Sequence, residues 1–220
     1  GDVSVPGMLH ARMVRPATIG GTLVSAGKLD RAKIPNAEVV VKGNLVAVVS
    51  PNEWDAVSAA QAAAASTQWT PWSGLPASDK VIEHLHTVKW TPGGKRGDQA
   101  KNDAAFASAA KVISATYEEP YTRHAPMGAY VAVADVKADG SIVIHAQSSQ
   151  AQGARVNIAN TMGVPVEKVT IKWHQGPGQY GRTTYGGDGA IADAAILSKL
   201  LGKPVRVQWT LAEDLTWSTV

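Results

Sequence analysis

Between a strand-like run, Val166 to Trp173, and a helix-like run, Asp188 to Leu201, lies GPGQYGRTTYGGDG, Gly176 to Gly189, in which six of fourteen residues are glycine. Glycine admits positive φ and lets backbone approach a ligand where a side chain would stand in the way. Strand, glycine loop and helix in that order mark either a ligand-binding turn or a long surface turn. Whatever the chain folds into has to place that loop at the end of a strand and ahead of a helix.

The neighbouring segments fit such an arrangement. Tyr130 to Lys137 and Ser141 to Gln147 read as strands across an Asp139-Gly140 turn, and Glu38 to Val41 and Asn44 to Val49 as strands across Lys42-Gly43. Met8 to Arg15 and Val205 to Trp209 are further strand-like runs, and Val112 to Tyr117 carries the same alternation. Helical signals alternate with them. Ser50-Pro51-Asn52-Glu53 has the pattern of a capping box before an alanine-rich segment, Ser149-x-x-Gln152 precedes an apolar face ended by Gly163 and Pro165, and Thr210-x-x-Glu213 opens a last helix. Asp103 to Lys111 reads as helix, Val81 to Val88 as a short helix or strand, and Thr91 to Lys101 as a linker. The fold class expected is α+β, a mixed α/β layering.

With 220 residues, 45% of them hydrophobic and 18% charged, the chain can bury a sizeable core. Its net charge of +3 is scattered, with Lys95-Arg96 as an adjacent basic pair, so the basic stripe of a nucleic-acid binder is not expected. The longest alanine-rich run is too short and too polar for a membrane span. The absence of cysteine removes disulfides, thiolate nucleophiles and iron–sulfur ligation from this chain. The opening GDVSVPGMLHARMVRP has no leader pattern and reads as though cut from a longer protein.

Motifs narrow the chemistry. Gly176, Gly178 and Gly181 spell G-x-G-x-x-G, the dinucleotide pattern, but Pro177 removes an amide from the turn, the helix starts late, and no acidic residue ends a following strand. His84-x-His86 lacks further ligands at a useful spacing and reads as surface histidine. His124 reads as a loop histidine. Ser148, Ser149 and His145 lack the glycine-elbow context of a nucleophilic serine.

Four segments in order, PGMLHARMVRP (Pro6 to Pro16), VAVVSPNEWDAVSAA (Val46 to Ala60), YEEPYTRHAPMGAYVAVADV (Tyr117 to Val136) and AQSSQAQGARVNIANTMGVPVEKVTIKWHQGPGQYGR (Ala146 to Arg182), carry a resemblance. The chain resembles the molybdopterin-binding large subunit of the xanthine dehydrogenase and aldehyde oxidase family, and within it the isoquinoline 1-oxidoreductase and nicotinate dehydrogenase types. The resemblance implies an α/β-hammerhead domain over residues 1–112, followed by the first, truncated part of the molybdenum cofactor-binding domain over 113–220. It implies a molybdopterin cofactor, with Gln150, Gly176, Gly178, Gln179, Tyr180 and Gly181 lining it. Gln179 stands where relatives have glycine, Tyr180 where they have phenylalanine, and Gly128-Ala129 where many have Glu-Pro. The activity implied is hydroxylation of an N-heteroaromatic compound, or oxidation of an aldehyde, with oxygen from water. The same resemblance implies an iron–sulfur partner subunit and a catalytic glutamate beyond Val220, so that the chain alone is expected neither to hold cofactor stoichiometrically nor to turn over. The alternatives are a dinucleotide-binding oxidoreductase and a non-catalytic interaction domain.

Overall fold

The computed structural model describes residues 2–89, 97–176, 178, 180 and 189–218. The expectations placed on Pro177, Gln179, Gly181, Lys95-Arg96 and residues 91–96 of the linker lie outside them. Two compact units emerge: residues up to Trp72 together with those from Thr122 onward, and Ser73–Tyr121.

The larger unit is built on a seven-stranded mixed sheet. Its strands are β1 (Leu9–Met13), β3 (Glu38–Lys42), β4 (Leu45–Ser50), β6 (Val131–Val136), β7 (Ile142–Ala146), β8 (Val169–Trp173) and β9 (Val205–Gln208). They lie in the order β3-β4-β1-β9-β6-β7-β8, and a separate short pair joins β2 (Leu23–Ser25) to β5 (Gln68–Trp69). Both expected hairpins form, with Gly43 at φ 58° and Gly140 at φ 82°, the left-handed values that such turns require. The pairs β1–β9 and β7–β8 are parallel and every other pair in this sheet is antiparallel. It follows that β1, β9, β7 and β8 all run the same way, and that β6 begins where they end.

Period-two alternation divides the side chains between two faces. Ala47, Val49, Ala132, Ala134, Ile142, Ile144, Val205 and Val207 pack on one face with α4 (Ala151–Met162) and α5 (Gly189–Leu201), through Ala154, Ile158, Ile191, Ala194 and Leu197. Val46 and Val48, one residue out of step, pack on the other face with α1 (Glu53–Ser66) through Ala59, Ala60 and Ala63. Alanine at those positions brings the helix close to the sheet. The first turn of α1 is tied down by Glu53, whose Oε1 accepts from Arg12 at 2.8 Å and Arg206 at 2.7 Å. Burial works against the ionised Glu53, but the two guanidinium groups outweigh it and hold the carboxyl below its usual range.

Close approach at the far end of α1 requires glycine at position 27. A Cβ there would lie 2.1 Å from the carbonyl oxygen of Ala63, which is backbone and cannot swing aside. Gly27→Ala is expected to destabilise the chain by about 2 kcal/mol, an overpacking cost measurable by urea unfolding.

Helix ends follow the sequence signals in part. Thr210 and Glu213 form the expected reciprocal capping box of α6 (Leu211–Trp217), and Gly163 closes α4 in the left-handed conformation. At α1 the cap shifts: Asn52, not Ser50, accepts from Asp55 N at 3.1 Å, because Ser50 is still paired in β4. At α4 the N-cap is Gln150, with no side-chain capping bond.

In the smaller unit, α2 (Val81–Thr87) and α3 (Gln99–Ser108) have no buried residue. Asp98 caps α3 by accepting from Ala100 N and Lys101 N, so the helix begins earlier than the apolar pattern suggests and ends at Ser108. The strand expected over Val112 to Tyr117 does not form. Those residues are irregular and exposed, and among the described residues no strand lies beside them to take their hydrogen bonds. His86 Nε2 stands 3.3 Å from Glu118 Oε1 on this unit's surface. Among the described residues no helix is long and apolar enough to cross a membrane.

Candidate functional site

The common direction of β1, β9, β7 and β8 gathers their carboxyl ends on one edge of the sheet. Ligands of α/β sheets lie outside the carboxyl ends of parallel strands, where the loops diverge. Here β7, α4 and β8 form a β-α-β unit, so Gln147 to Gln150 leave β7 beside the point where His174 to Tyr180 leave β8. The chain enters β6 from the same edge through Arg123 to Tyr130, and Trp209 N donates to Tyr130 O there at 2.8 Å.

Gln147 joins the two loops. Its Nε2 donates to the carbonyl of Gly178 at 3.1 Å, and its amide lies against Gly176 so closely that a Cβ on that glycine would fall 1.7 Å from Oε1. Gly178 has φ 116°, and the Tyr180 ring folds back over it, within 3.0 Å of where a Cβ would stand. Tyr180 itself has φ 50°, and 58% of it is exposed. Its carbonyl oxygen lies 2.8 Å from His124 Nδ1, which must carry the proton because a carbonyl only accepts.

Gln150 stands at the start of α4, exposed, with its backbone N–H donating to the hydroxyl of buried Ser148 at 3.2 Å. Its side chain lies beside the α-carbon of Gly153, where a Cβ would be 3.4 Å from Oε1. That side chain makes no capping bond to the first turn of α4.

Two histidines flank the loop's root. His145 Nδ1 and His174 Nε2 are 2.9 Å apart with rings stacked at 5.1 Å, so they share one proton, donor on one side and acceptor on the other. Burial, then His174, then Lys172 push His145 below its usual range. Both histidines line a small cavity of about 30 Å³ with Val3, Val133, Gln175 and Gly176. Among the described residues no group of three or more His, Cys, Asp or Glu is placed to hold a metal ion.

At the same edge, Asp214 of α6 is 1% exposed, and neither carboxylate oxygen has a hydrogen-bond partner among the described residues. Burial raises its pKa, with Arg123 and His124 partly offsetting the effect. Arg123 in turn donates to the carbonyl of Ser218. Nearby, Arg15 pairs with buried Asp193 at 2.5 Å and lies over the rings of Trp209 and Trp217, at 4.9 and 5.4 Å from their centroids.

Of the residues singled out by sequence, Gln150, Gly176, Gly178 and Tyr180 thus lie on loops leaving adjacent parallel strands. The loop is held by two residues that sequence reasoning did not assign to it, Gln147 and His124. Both act on backbone carbonyls, and only the register that sets Ala146 beside Trp173 brings Gln147 within reach.

A parallel-strand edge carrying a glycine loop and neutral amide donors defines a cofactor-binding module, and comparison with known proteins says which. The chain belongs to the molybdopterin cofactor-binding domain family, whose model matches residues 80–220. It is similar to a nicotinate dehydrogenase chain of Pseudomonas putida, at 30% identity over 228 residues, covering 98% of this chain and 18% of that one. The beta chain of isoquinoline 1-oxidoreductase from Brevundimonas diminuta is 26% identical over 230 residues, covering 97% of this chain and 28% of that one. Among solved structures, the Cu,Mo-CO dehydrogenase in its carbon monoxide reduced state matches with a TM-score of 0.71 at 18% identity, over 97% of this chain and 33% of that one, a likeness of fold. The chain therefore spans less than a third of the length of these two curated relatives.

Proposed function

We propose that this chain supplies one wall of the molybdopterin site in the large subunit of a molybdenum hydroxylase that acts on an N-heteroaromatic compound or an aldehyde, with oxygen drawn from water. The observation that carries the reading is the meeting of two loops at the carboxyl ends of β7 and β8, joined by the Gln147 bond to Gly178. On the resemblance, residues 1–112 are assigned to the hammerhead domain and 113–220 to the first part of the cofactor-binding domain; the seven-stranded sheet runs through both.

The residues present fit the group. Molybdopterin brings its own sulfur ligands, so a chain with no cysteine can receive it, and what it needs from protein is bare backbone and hydrogen-bonding amides. Gly176 lets the Gln147 amide pack directly against its backbone at this edge, and α4 begins there without a side-chain capping bond from Gln150. Gln150, Gly176, Gly178, Gln179, Tyr180 and Gly181 would line the cofactor. The bound cofactor would supply two-electron redox chemistry; these residues would orient it and tune it by hydrogen bonding, and the proposal gives none of them an acid or base role. The base and the iron–sulfur electron exit belong to other parts of a longer assembly, the second because this chain holds no cysteine.

The described part of α5 begins at Gly189, and Gly181, where a dinucleotide site would want helix amides, lies outside the described residues.

The test uses the parent enzyme complex. Gln150→Ala is expected to keep its molybdenum content while turnover falls about tenfold or more, the loss of one polar partner at the reacting group. Unchanged turnover would remove Gln150 from the site. The purified 220-residue chain is expected to carry little molybdenum, and a full complement with hydroxylase activity would overturn the proposal that it supplies one wall of the site.

A further inference from the structure

We infer that His124 holds Tyr180 in its left-handed backbone conformation and is thereby a positioning residue of the glycine loop, an inference that rests on the loop's proposed place in the cofactor site. Among the described residues, the non-glycine positions with positive φ are Ala125, at 43°, and Tyr180, at 50°. His124, the residue before Ala125, donates from Nδ1 to the carbonyl of Tyr180 at 2.8 Å. Backbone in that region is unfavourable for a residue with a Cβ and persists only where its surroundings impose it.

Burial does not impose it at Tyr180, whose ring is largely exposed and rests on Gly178. His124 stands on a firmer base. The chain passes from it through Ala125 to fully buried Pro126, and on its other side Arg123 is bonded to the Ser218 carbonyl at the end of α6. The direction of the Tyr180 carbonyl is therefore set from outside the glycine sequence. A tyrosine stands where glycine would meet no such penalty, so the clasp is what lets the loop carry an aromatic ring there.

Nuclear magnetic resonance of the cofactor-free 220-residue chain, labelled with nitrogen-15 histidine and carbon-13 tyrosine, tests this directly. The expected wild-type result is His124 protonated on Nδ1 and Tyr180 backbone shifts of a left-handed residue. His124→Ala should move those shifts out of the left-handed range and speed exchange of the Tyr180 amide about tenfold. His124→Asn, which restores a donor near the Nδ1 position, should recover most of the difference. In a Tyr180→Gly background, where positive φ carries no penalty, the same His124→Ala change should alter exchange at position 180 less than about twofold. Unchanged Tyr180 shifts in His124→Ala, or equal effects in both backgrounds, overturn the inference. Should His124→Ala not fold, the wild-type tautomer decides, since a proton on Nε2 alone leaves Nδ1 unable to donate. The readout involves no cofactor, so a failure here leaves the proposed function standing, and a failure of cofactor binding leaves these results intact.

Discussion

Replacing Arg15 with alanine should cost about 3 kcal/mol of stability at pH 7, the loss that follows when one member of a buried ion pair is removed and the other is left behind. Asp193 is the group left behind. Its Oδ2 receives Arg15 at 2.5 Å and the Trp209 indole N–H at 3.1 Å. Burial pushes its carboxyl above the usual range, and Arg15 is the first of the groups that pull it back.

The sign of the pH dependence follows. A carboxyl with a raised folded pKa contributes its full stability below the unfolded value of about 3.9 and loses it as pH rises through the folded value. Without Arg15 that folded value climbs further, so the loss has a wider pH range over which to accumulate. The difference between wild type and Arg15→Ala should be small near pH 4 and largest near pH 7. Urea unfolding at the two pH values measures it. An equal difference at both would mean that the cost comes from lost packing between Trp209 and Trp217 and not from the stranded carboxylate.

Gly176→Ala is the change with the largest expected effect on function. The new methyl would occupy the position of the Gln147 amide, which can rotate away because it is the end of a flexible side chain. Stability should change by no more than about 1 kcal/mol, the worth of one hydrogen bond. What is lost is the link between the β7 and β8 loops, and, on the proposed function, displacement of that loop by about 1 Å lowers turnover about a hundredfold. Molybdenum content, melting temperature and turnover of the parent complex would be measured together. Gln147→Ala added to Gly176→Ala should bring little further loss, because both act on one link. A full second penalty would show that the two residues serve different ends.

Sequence alone went far where the determinants are local. The Asp139-Gly140 and Lys42-Gly43 hairpins, the Thr210 capping box and the glycine that closes α4 each depend on residues a few positions apart. Val112 to Tyr117 misled because alternation marks a strand only when another strand is there to pair with it. The cap of α1 moved from Ser50 to Asn52 because the ladder with β1 extends to Ser50, a matter of pairing that the capping pattern does not encode. For the candidate site, the glycine loop stood out by its composition, and Gln150 was singled out by the resemblance alone. Gln147 and His124 were not, since an amide or imidazole bonded to a distant carbonyl leaves no spacing to read.

The pairing of β1 with β9 has a consequence for how the chain acquires its structure. Leu9 to Ala11 align with Val205 to Val207, so a strand near the beginning of these residues completes its ladder only when one near their end arrives. Closing so long a loop is entropically expensive before any contact repays it, which places this sheet among slow-folding topologies. During synthesis β3, β4 and β1 emerge as an antiparallel group with β1 as an open edge, and that edge stays available to other chains until β9 is made.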